Sequence, residues 1–311
     1  MSAAAADEDL TRATIALTQN FADRLWRYPV CYAVVGRFVA TPLTPNHVTL
    51  GHTLLAFVAA LLLYQHDPWL SPVAGVLLEI RAIADCFDGV LARAKRLSSP
   101  YGRALDQLGD SLGFAALMLV AALVSTQRYG ALVGWGVVVL TSLLSAVATT
   151  CWDFYRRRFI SLLERGRDEV EDEYVQLARL LSQRPTVPMR WSWVFANLQV
   201  ALFARGAFPR LRARIAAGET GAPPGDGAPT AAAVRLRARV AARDPELRRA
   251  MFSIGLSGAD AVFLTVSASA FVNDLLVGCV VGCAYAVVTV VWTSTLCNRA
   301  LAETAAAQGD R

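Results

Sequence analysis

Apolar residues gather into blocks of about twenty, separated by polar stretches. Such a block is long enough to cross a hydrocarbon core of about 30 Å as a helix. The second block is unusual because its C-terminal half carries Glu79, Arg81, Asp85 and Asp88. The pattern predicts an all-α, polytopic membrane protein with six transmembrane helices, at 47–64, 69–93, 104–125, 130–151, 251–272 and 275–297.

The chain before the first block has a different pattern. Residues 1–11 are small and acidic, and we expect them to form a disordered tail. Between about Leu17 and Ala40, apolar and aromatic residues mix with arginines, which is typical of an amphipathic helix lying in the membrane interface. Pro29 is expected to kink or split that helix. We therefore predict an N-terminal segment at 1–46 and the first four spans within 47–153.

A long insertion separates the fourth span from the fifth. Residues 154–250 open with three consecutive arginines and hold 18 arginines against 10 acidic residues. The pattern predicts a solvated charged helix at 164–179, an interfacial helix at 190–203 and a basic helix at 235–249, with a Gly/Pro/Ala linker at 218–229. We interpret the insertion as a basic cytoplasmic segment attracted to anionic lipid, with a regulatory or acceptor-selecting role as the alternative. The last two spans fill 251–298, and 299–311 form a tail.

Charge placement predicts the orientation. The three short loops on one side of the predicted bundle contain a single basic residue, Arg128. By the positive-inside tendency, both termini and the insertion are expected on the cytoplasmic side. The membrane is expected to be the inner (cytoplasmic) cell membrane. The net charge of +5 then reflects membrane topology, and no nucleic acid is expected as a partner. Residues 1–20 lack the apolar core of a cleavable signal peptide. The six cysteines are interpreted as buried small apolar residues.

Four carboxylates carry the candidate chemistry. Asp85 and Asp88 are three residues apart and Asp106 and Asp110 four apart, so each pair shares one face of a helix. A charged side chain at the centre of a membrane helix costs about 2.5–3.5 kcal/mol. Two helices that present these pairs to each other would form a cage for a compensating metal ion. The histidines at 47, 52 and 66 form no cluster of their own.

The spacing of this segment resembles a known family. Asp85-x2-Asp88-Gly89-x2-Ala92-Arg93-x8-Gly102-x3-Asp106-x3-Asp110 matches, at every fixed position, the pattern of the CDP-alcohol phosphotransferase (CDP-alcohol phosphatidyltransferase) family. The stretch from Pro45 to Thr49 resembles the segment that precedes that family's first span. The resemblance is close over residues 40–125 and extends to the later spans only as topology.

The resemblance implies the following site. Members of the family transfer a phospho-group from a CDP-linked donor to an alcohol and release CMP. Asp85, Asp88 and Asp106 would be ligands of two Mg²⁺ or Mn²⁺ ions, and Asp110 would be the general base, also within reach of a metal. Substrate-binding positions would be Gly89, Ala92, Arg93, Ser99, Gly102, Asn46, His47, Val48 and Thr49. A homodimer is also a family expectation.

Several alternatives remain open at this point. Gly89 and Ala92 could serve helix packing, Arg93 could face lipid headgroups, and Asn46 could cap the first span. Glu79 and Arg81 could pair with each other or with a neighbouring helix. Asp260 could contact the acceptor or a polar neighbour.

The favoured function is transfer of a phosphatidyl group from CDP-diacylglycerol to a small water-soluble alcohol. The alternatives are CDP-choline- or CDP-ethanolamine-type transfer to diacylglycerol, a cation transporter that uses the carboxylates as a pathway, and a catalytically silent member of the family. The sequence leaves the identity of the alcohol open.

Overall fold

The computed structural model describes residues 3–98, 100–183, 187–204, 207–218 and 228–306. Every regular element in these ranges is helical. Three short turns of other helical types lie at Asp23–Arg27 (π), Ser161–Arg165 (π) and Ala270–Val272 (3₁₀). The α-helices are α1 Ala3–Ala16, α2 Tyr28–Phe38, α3 Pro45–Tyr64, α4 Leu70–Lys95, α5 Pro100–Tyr129, α6 Ala131–Ile160, α7 Glu169–Gln183, α8 Val187–Phe203, α9 Ala207–Ala216, α10 Ala231–Ala241, α11 Pro245–Leu256, α12 Ala259–Ser269 and α13 Leu275–Ala306.

Helices of membrane-spanning length and composition confirm an all-α polytopic membrane protein. Within the described residues, four helical stretches qualify, Pro45–Tyr64, Leu105–Tyr129, Ala131–Arg165 and Leu275–Thr304, and a fifth if the bent pair α11 and α12 counts as one span. Helix α4 occupies the second predicted span, but it is not among these four stretches because its charged residues lower its mean hydropathy. The count of six spans stays a prediction.

The N-terminal segment differs from the expectation. Residues 3–16 form helix α1 instead of a disordered tail, as the strong helix propensity of its alanines favours. Leu10 and Ile15 pack against a buried apolar cluster, so tertiary contacts also hold this helix in place. The predicted interfacial segment contains a π-helical turn, followed by α2 with Pro29 in its first turn, where a missing N–H group is tolerated.

Contacts divide the chain into two compact units. The first comprises the chain up to Gln19, Val147–Gly258, and the chain from Val288 onward. Its core contains Phe154, Tyr155, Phe203 and residues of α10 and α11. The 154–250 insertion therefore contributes to a packed apolar core, with α1 covering part of it.

The insertion helices differ in detail from the prediction. Helix α7 begins at Glu169 and buries Val170, Tyr174 and Val175, so it is not solvated all round. Residues 219–227 of the predicted linker lie outside the described residues. The expected single basic helix is broken into α10 and α11, because Asp244 caps α11 by accepting hydrogen bonds from two backbone N–H groups.

The second unit comprises Asn20–Ala146 and Ala259–Val287. Helices α3 and α5 approach closely through small residues. A Cβ atom built on Gly109 would overlap the Thr53 hydroxyl, and one built on Gly113 would lie 2.9 Å from the Ala56 Cβ. Small residues one turn apart let two membrane helices bring their backbones together. This contact holds the aspartates of α5 beside α3.

Candidate metal centre and nucleotide pocket

The connections around α3 and α4 fix the mouth of the site. Thr44 caps α3 and forms a reciprocal capping box with His47. Asn46 lies inside the first turn, so the expectation that it caps α3 is wrong. At the end of α4, Lys95 Nζ donates hydrogen bonds to the backbone oxygens of Thr41 (2.7 Å) and Leu43 (2.6 Å). The start of α3 is thereby tied to the end of α4.

Three of the four motif aspartates meet in one group. Oxygen atoms of Asp85, Asp88 and Asp106 and a ring nitrogen of His52 all lie within 4.8 Å of one another. Thr49 Oγ1 donates a 2.6 Å hydrogen bond to Asp88 Oδ2 and so orients that carboxylate. Helices α3, α4 and α5 each supply at least one member of the group.

His52 is the member that sequence reasoning missed. Its side chain is fully buried, and its Nε2 atom lies 3.3 Å from Asp88, 3.6 Å from Asp106 and 3.8 Å from Asp85. The available signal was its position three residues after Thr49, on the same face of α3. A search for histidines near other histidines could not find it.

Asp110 lies outside this group of four. Its carboxylate accepts a hydrogen bond from Arg81 Nη2, and the two residues form an ion pair. Arg81 is 8% exposed, its guanidinium carbon lies 5.5 Å from the centroid of the Phe263 ring, and its Nε has no hydrogen-bond partner among the described residues. The candidate base is thus held by a buried cation.

A second polar cluster answers the question left open for Glu79. Arg27, which is 1% exposed, donates two hydrogen bonds to Glu79, from Nε (2.9 Å) and Nη2 (3.0 Å). Asp23 lies 3.1 Å and Asp260 3.5 Å from the same guanidinium. Burial lowers the pKa of Arg27, but the carboxylates outweigh it and raise that pKa overall. Glu79 and Arg81 therefore each pair with a neighbouring helix, and Asp260 has polar neighbours.

A cavity of about 280 Å³ opens beside the metal-ligand group. Asp88 and Asp106 line it, so the cavity and the group share two carboxylates. Six of the predicted substrate-binding residues also line it: Asn46, Thr49, Gly89, Ala92, Arg93 and Gly102. His47 is exposed and serves the capping box, Val48 is not among the lining residues, and Ser99 lies outside the described residues.

The surroundings of Gly89 bear on why a glycine is present. A Cβ atom there would meet, among the described residues, only Arg93 Nη1, at an ordinary contact distance of 3.6 Å. Protein packing at that position therefore does not require a glycine, in contrast to Gly109. The space that Gly89 leaves belongs to the cavity.

The donor set fits a divalent cation. Carboxylate oxygens suit Mg²⁺ and Mn²⁺, and an imidazole nitrogen suits transition ions. The buried Asp106 Oδ1 and both ring nitrogens of His52 lack hydrogen-bond partners among the described residues. A buried polar atom without a partner destabilises the folded protein unless a bound ion, water or other group interacts with it. A bound cation would supply that partner.

Part of the chain is similar to a known protein family. Residues 42–165 match the model of the CDP-alcohol phosphatidyltransferase family. In that region the chain is similar to this family, as the motif predicted. The matched region contains the cavity, the metal-ligand group and Asp110.

Individual relatives are similar to parts of the chain. A CDP-diacylglycerol–glycerol-3-phosphate 3-phosphatidyltransferase of Cereibacter sphaeroides is 36% identical over 101 residues, 32% of this chain and 43% of the relative. An archaetidylinositol phosphate synthase of Pyrococcus horikoshii is 34% identical over 108 residues, 34% of this chain and 53% of the relative. A CDP-diacylglycerol–glycerol-3-phosphate 3-phosphatidyltransferase of Salmonella choleraesuis is 25% identical over 157 residues, which are 48% of this chain and 82% of the relative. In the first two, the chain spans about half of the relative's length.

Proposed function

We propose that this protein is an integral membrane transferase that moves a phosphatidyl group from CDP-diacylglycerol to a water-soluble alcohol and releases CMP. The observation that carries the proposal is the shared use of Asp88 and Asp106 by the metal-ligand group and the cavity. A pyrophosphate bound in the cavity would lie directly beside the ligands of the cations that offset its charge. The relatives' names support the same reaction class.

The residues have separate roles in this proposal. Asp85, Asp88 and Asp106 hold the divalent ions, Mg²⁺ or Mn²⁺, which when bound neutralise phosphate charge and polarise the phosphorus–oxygen bonds. Thr49 keeps Asp88 oriented through their hydrogen bond. Gly89 and Ala92 leave room for the nucleotide against α4, and Arg93 pairs with donor phosphate.

Asp110 acts on the acceptor. It takes the proton of the attacking hydroxyl, whose oxygen forms a bond to the lipid-side phosphorus while the bond from that phosphorus to CMP breaks. A free carboxylate is a weak base for an alcohol, so positioning must contribute much of the rate. Arg81 holds the Asp110 carboxylate in place. A second role as a metal ligand stays a family expectation for Asp110.

The acceptor that fits best is a phosphorylated polyol, with glycerol 3-phosphate as the first choice. Arg81 is a buried cation next to the proposed base, and its Nε has no hydrogen-bond partner among the described residues. A phosphate ester could accept from that nitrogen while its hydroxyl approaches Asp110. The names of the relatives include a glycerol 3-phosphate transferase and an inositol phosphate lipid synthase.

The topology belongs to the same proposal. In this proposal the chain has six spans, an interfacial N-terminal helix and a basic insertion at 154–250. By the positive-inside tendency, the active site then faces the cytoplasm at the cell membrane. The CDP-diacylglycerol tails then enter from the bilayer, and the alcohol arrives from the cytoplasm. A dimer of two copies remains the family expectation.

A matrix of donors and acceptors tests the function. Purified full-length protein in lipid nanodiscs receives CDP-diacylglycerol or CDP-choline, each with glycerol 3-phosphate, inositol phosphate, serine, inositol or diacylglycerol. We expect CMP and a new phospholipid, identified by mass spectrometry, from CDP-diacylglycerol with a phosphorylated polyol. CMP from CDP-choline and diacylglycerol alone would reverse the donor assignment. Metal flux into liposomes with no CMP from any pair would favour the transporter.

A further inference from the structure

His52 occupies a position that the family motif does not include. It lies on α3, whereas all fixed positions of the motif lie between Asp85 and Asp110, on α4, α5 and the loop between them. Its side chain is fully buried and points into a group of three carboxylates on α4 and α5. The residue therefore extends the group of candidate ligands beyond the motif, onto α3.

Two of the separations of His52 are close to those of atoms that share one ion, and the third, to Asp85, is longer at 3.8 Å. Two ligands at about 2.1 Å from one cation are about 3.0 Å apart in octahedral geometry and about 3.4 Å apart in tetrahedral geometry. Nε2 of His52 lies 3.3 Å from Asp88 Oδ2 and 3.6 Å from Asp106 Oδ1. The imidazole is thus already at ligand distance from its neighbours across a shared metal position.

The hydrogen bonding of His52 points in the same direction. Neither ring nitrogen has a hydrogen-bond partner among the described residues, although both are buried. Asp88 Oδ2, the nearest carboxylate oxygen, already accepts a shorter hydrogen bond, 2.6 Å, from the Thr49 hydroxyl. A purely structural histidine in a protein interior normally has at least one such partner.

We propose that His52 is a ligand of the metal centre and that its nitrogen makes the centre prefer Mn²⁺, or a later transition ion, over Mg²⁺. Carboxylate ligands suit Mg²⁺ and Mn²⁺ alike, whereas imidazole nitrogen favours transition ions. Because a neutral imidazole adds no charge, this nitrogen changes the metal preference and leaves the net charge of the ligand set as the carboxylates define it. The inference rests on the proposed metal-dependent function but concerns the ion alone.

Electron paramagnetic resonance tests the ligand directly. Full-length protein is freed of metal with EDTA, exchanged into chelator-free buffer and loaded with Mn²⁺, and electron spin echo modulation is recorded. We expect modulation from a directly bound ¹⁴N nucleus, changed to the ¹⁵N pattern in protein grown with ¹⁵N-histidine. This comparison needs no variant and so does not depend on the folding of one. Absence of nitrogen modulation in protein with bound Mn²⁺ would overturn the proposal.

Variants then assign the nitrogen to one residue. His52→Asn should lose the modulation, and its Mn²⁺ affinity, read from the free-ion signal, should fall at least about tenfold. Affinity for Mg²⁺, measured by competition against Mn²⁺, should fall less. The matched control is His66→Asn, in the turn beyond the other end of α3, which should retain the modulation. Modulation that persists in His52→Asn would overturn the assignment.

The two proposals fail in different ways. Nitrogen modulation in a protein that releases no CMP from any donor would leave the His52 assignment standing and refute the transferase function. CMP release by a protein whose bound Mn²⁺ shows no nitrogen modulation would support the transferase function and refute the His52 assignment. Failure of Mn²⁺ to bind in any preparation would overturn the assignment of His52 together with the metal site.

Discussion

Replacement of Gly109 by alanine tests the packing that holds Asp106 and Asp110 beside α3. The added Cβ atom would overlap the Thr53 hydroxyl, which is itself fixed by a 2.9 Å hydrogen bond to the backbone oxygen of Thr49. The Thr53 Cβ atom lies 3.5 Å away, an ordinary contact. The conflict is therefore with one hydroxyl group, and either it rotates or α5 shifts.

The expected magnitude follows from that geometry. Overpacking of this kind costs about 1–3 kcal/mol of unfolding free energy. A displacement of α5 also moves the proposed base, and a misplacement of about 1 Å can cost about a hundredfold in rate. We therefore expect Gly109→Ala to lower both stability and CMP release, the latter by about ten- to a hundredfold.

A double-mutant cycle isolates the contact. Thr53→Ala alone loses one hydrogen bond, worth about 0.5–1.5 kcal/mol, and removes the obstructing oxygen. In the double variant, the remaining contact is between two Cβ atoms at ordinary distance, so stability and activity should return close to those of Thr53→Ala. The assay pairs denaturant unfolding in detergent micelles with CMP release, and Gly51→Ala, where a Cβ meets nothing within 4 Å among the described residues, is the control.

Two results would refute this reasoning. Additive effects in the double variant would mean that Thr53 is not what Gly109 must avoid. Gly109→Ala with the stability and turnover of the unmodified protein would mean that α3 and α5 are not in close contact. Loss of function in Gly51→Ala to the same extent would show that any added methyl group is harmful.

Three further predictions follow from the pocket, the buried ion pair and the metal. Gly89→Ala should raise the KM for the donor and leave the unfolding midpoint unchanged, because its Cβ projects beside the cavity; an unchanged KM would remove this residue from the donor site. Glu79→Gln should cost about 1.5–3 kcal/mol of unfolding free energy, since it weakens the charged hydrogen bonds of buried Arg27 while Asp23 and Asp260 stay beside that guanidinium, and a loss below about 1 kcal/mol would show that the pair is solvated. EDTA should abolish CMP release, with recovery on adding Mn²⁺ or Mg²⁺, and activity that survives EDTA would exclude a metal requirement.

Features that lie within one helix were predictable from the sequence. Apolar blocks marked the four described helices of spanning length and composition, and the spacing of Asp85 and Asp88 placed both on one face of α4 because helical periodicity is fixed. The family pattern then assigned most of the residues that line the cavity. These features depend on local geometry and on a motif, both of which are visible in the order of residues.

Features that depend on which helices touch were not predictable in the same way. The partner of Glu79 is Arg27, 52 residues away, and no local spacing connects the two. His52 joins the aspartates only because the small residues of α5 let α3 approach. The insertion was expected to be a basic cytoplasmic segment attracted to lipid, yet Phe154, Tyr155 and Phe203 form part of a core. That core exists only because several segments pack together.

The most direct test of the proposed function compares the unmodified protein with Asp110→Asn in one preparation protocol. Asparagine keeps the size of the side chain but cannot take the proton of the acceptor hydroxyl, so CMP release from CDP-diacylglycerol and glycerol 3-phosphate should fall at least about a hundredfold. Mn²⁺ binding should persist, because Asp110 lies outside the group of four ligands. Turnover like that of the unmodified protein in Asp110→Asn would contradict the assigned role of this residue.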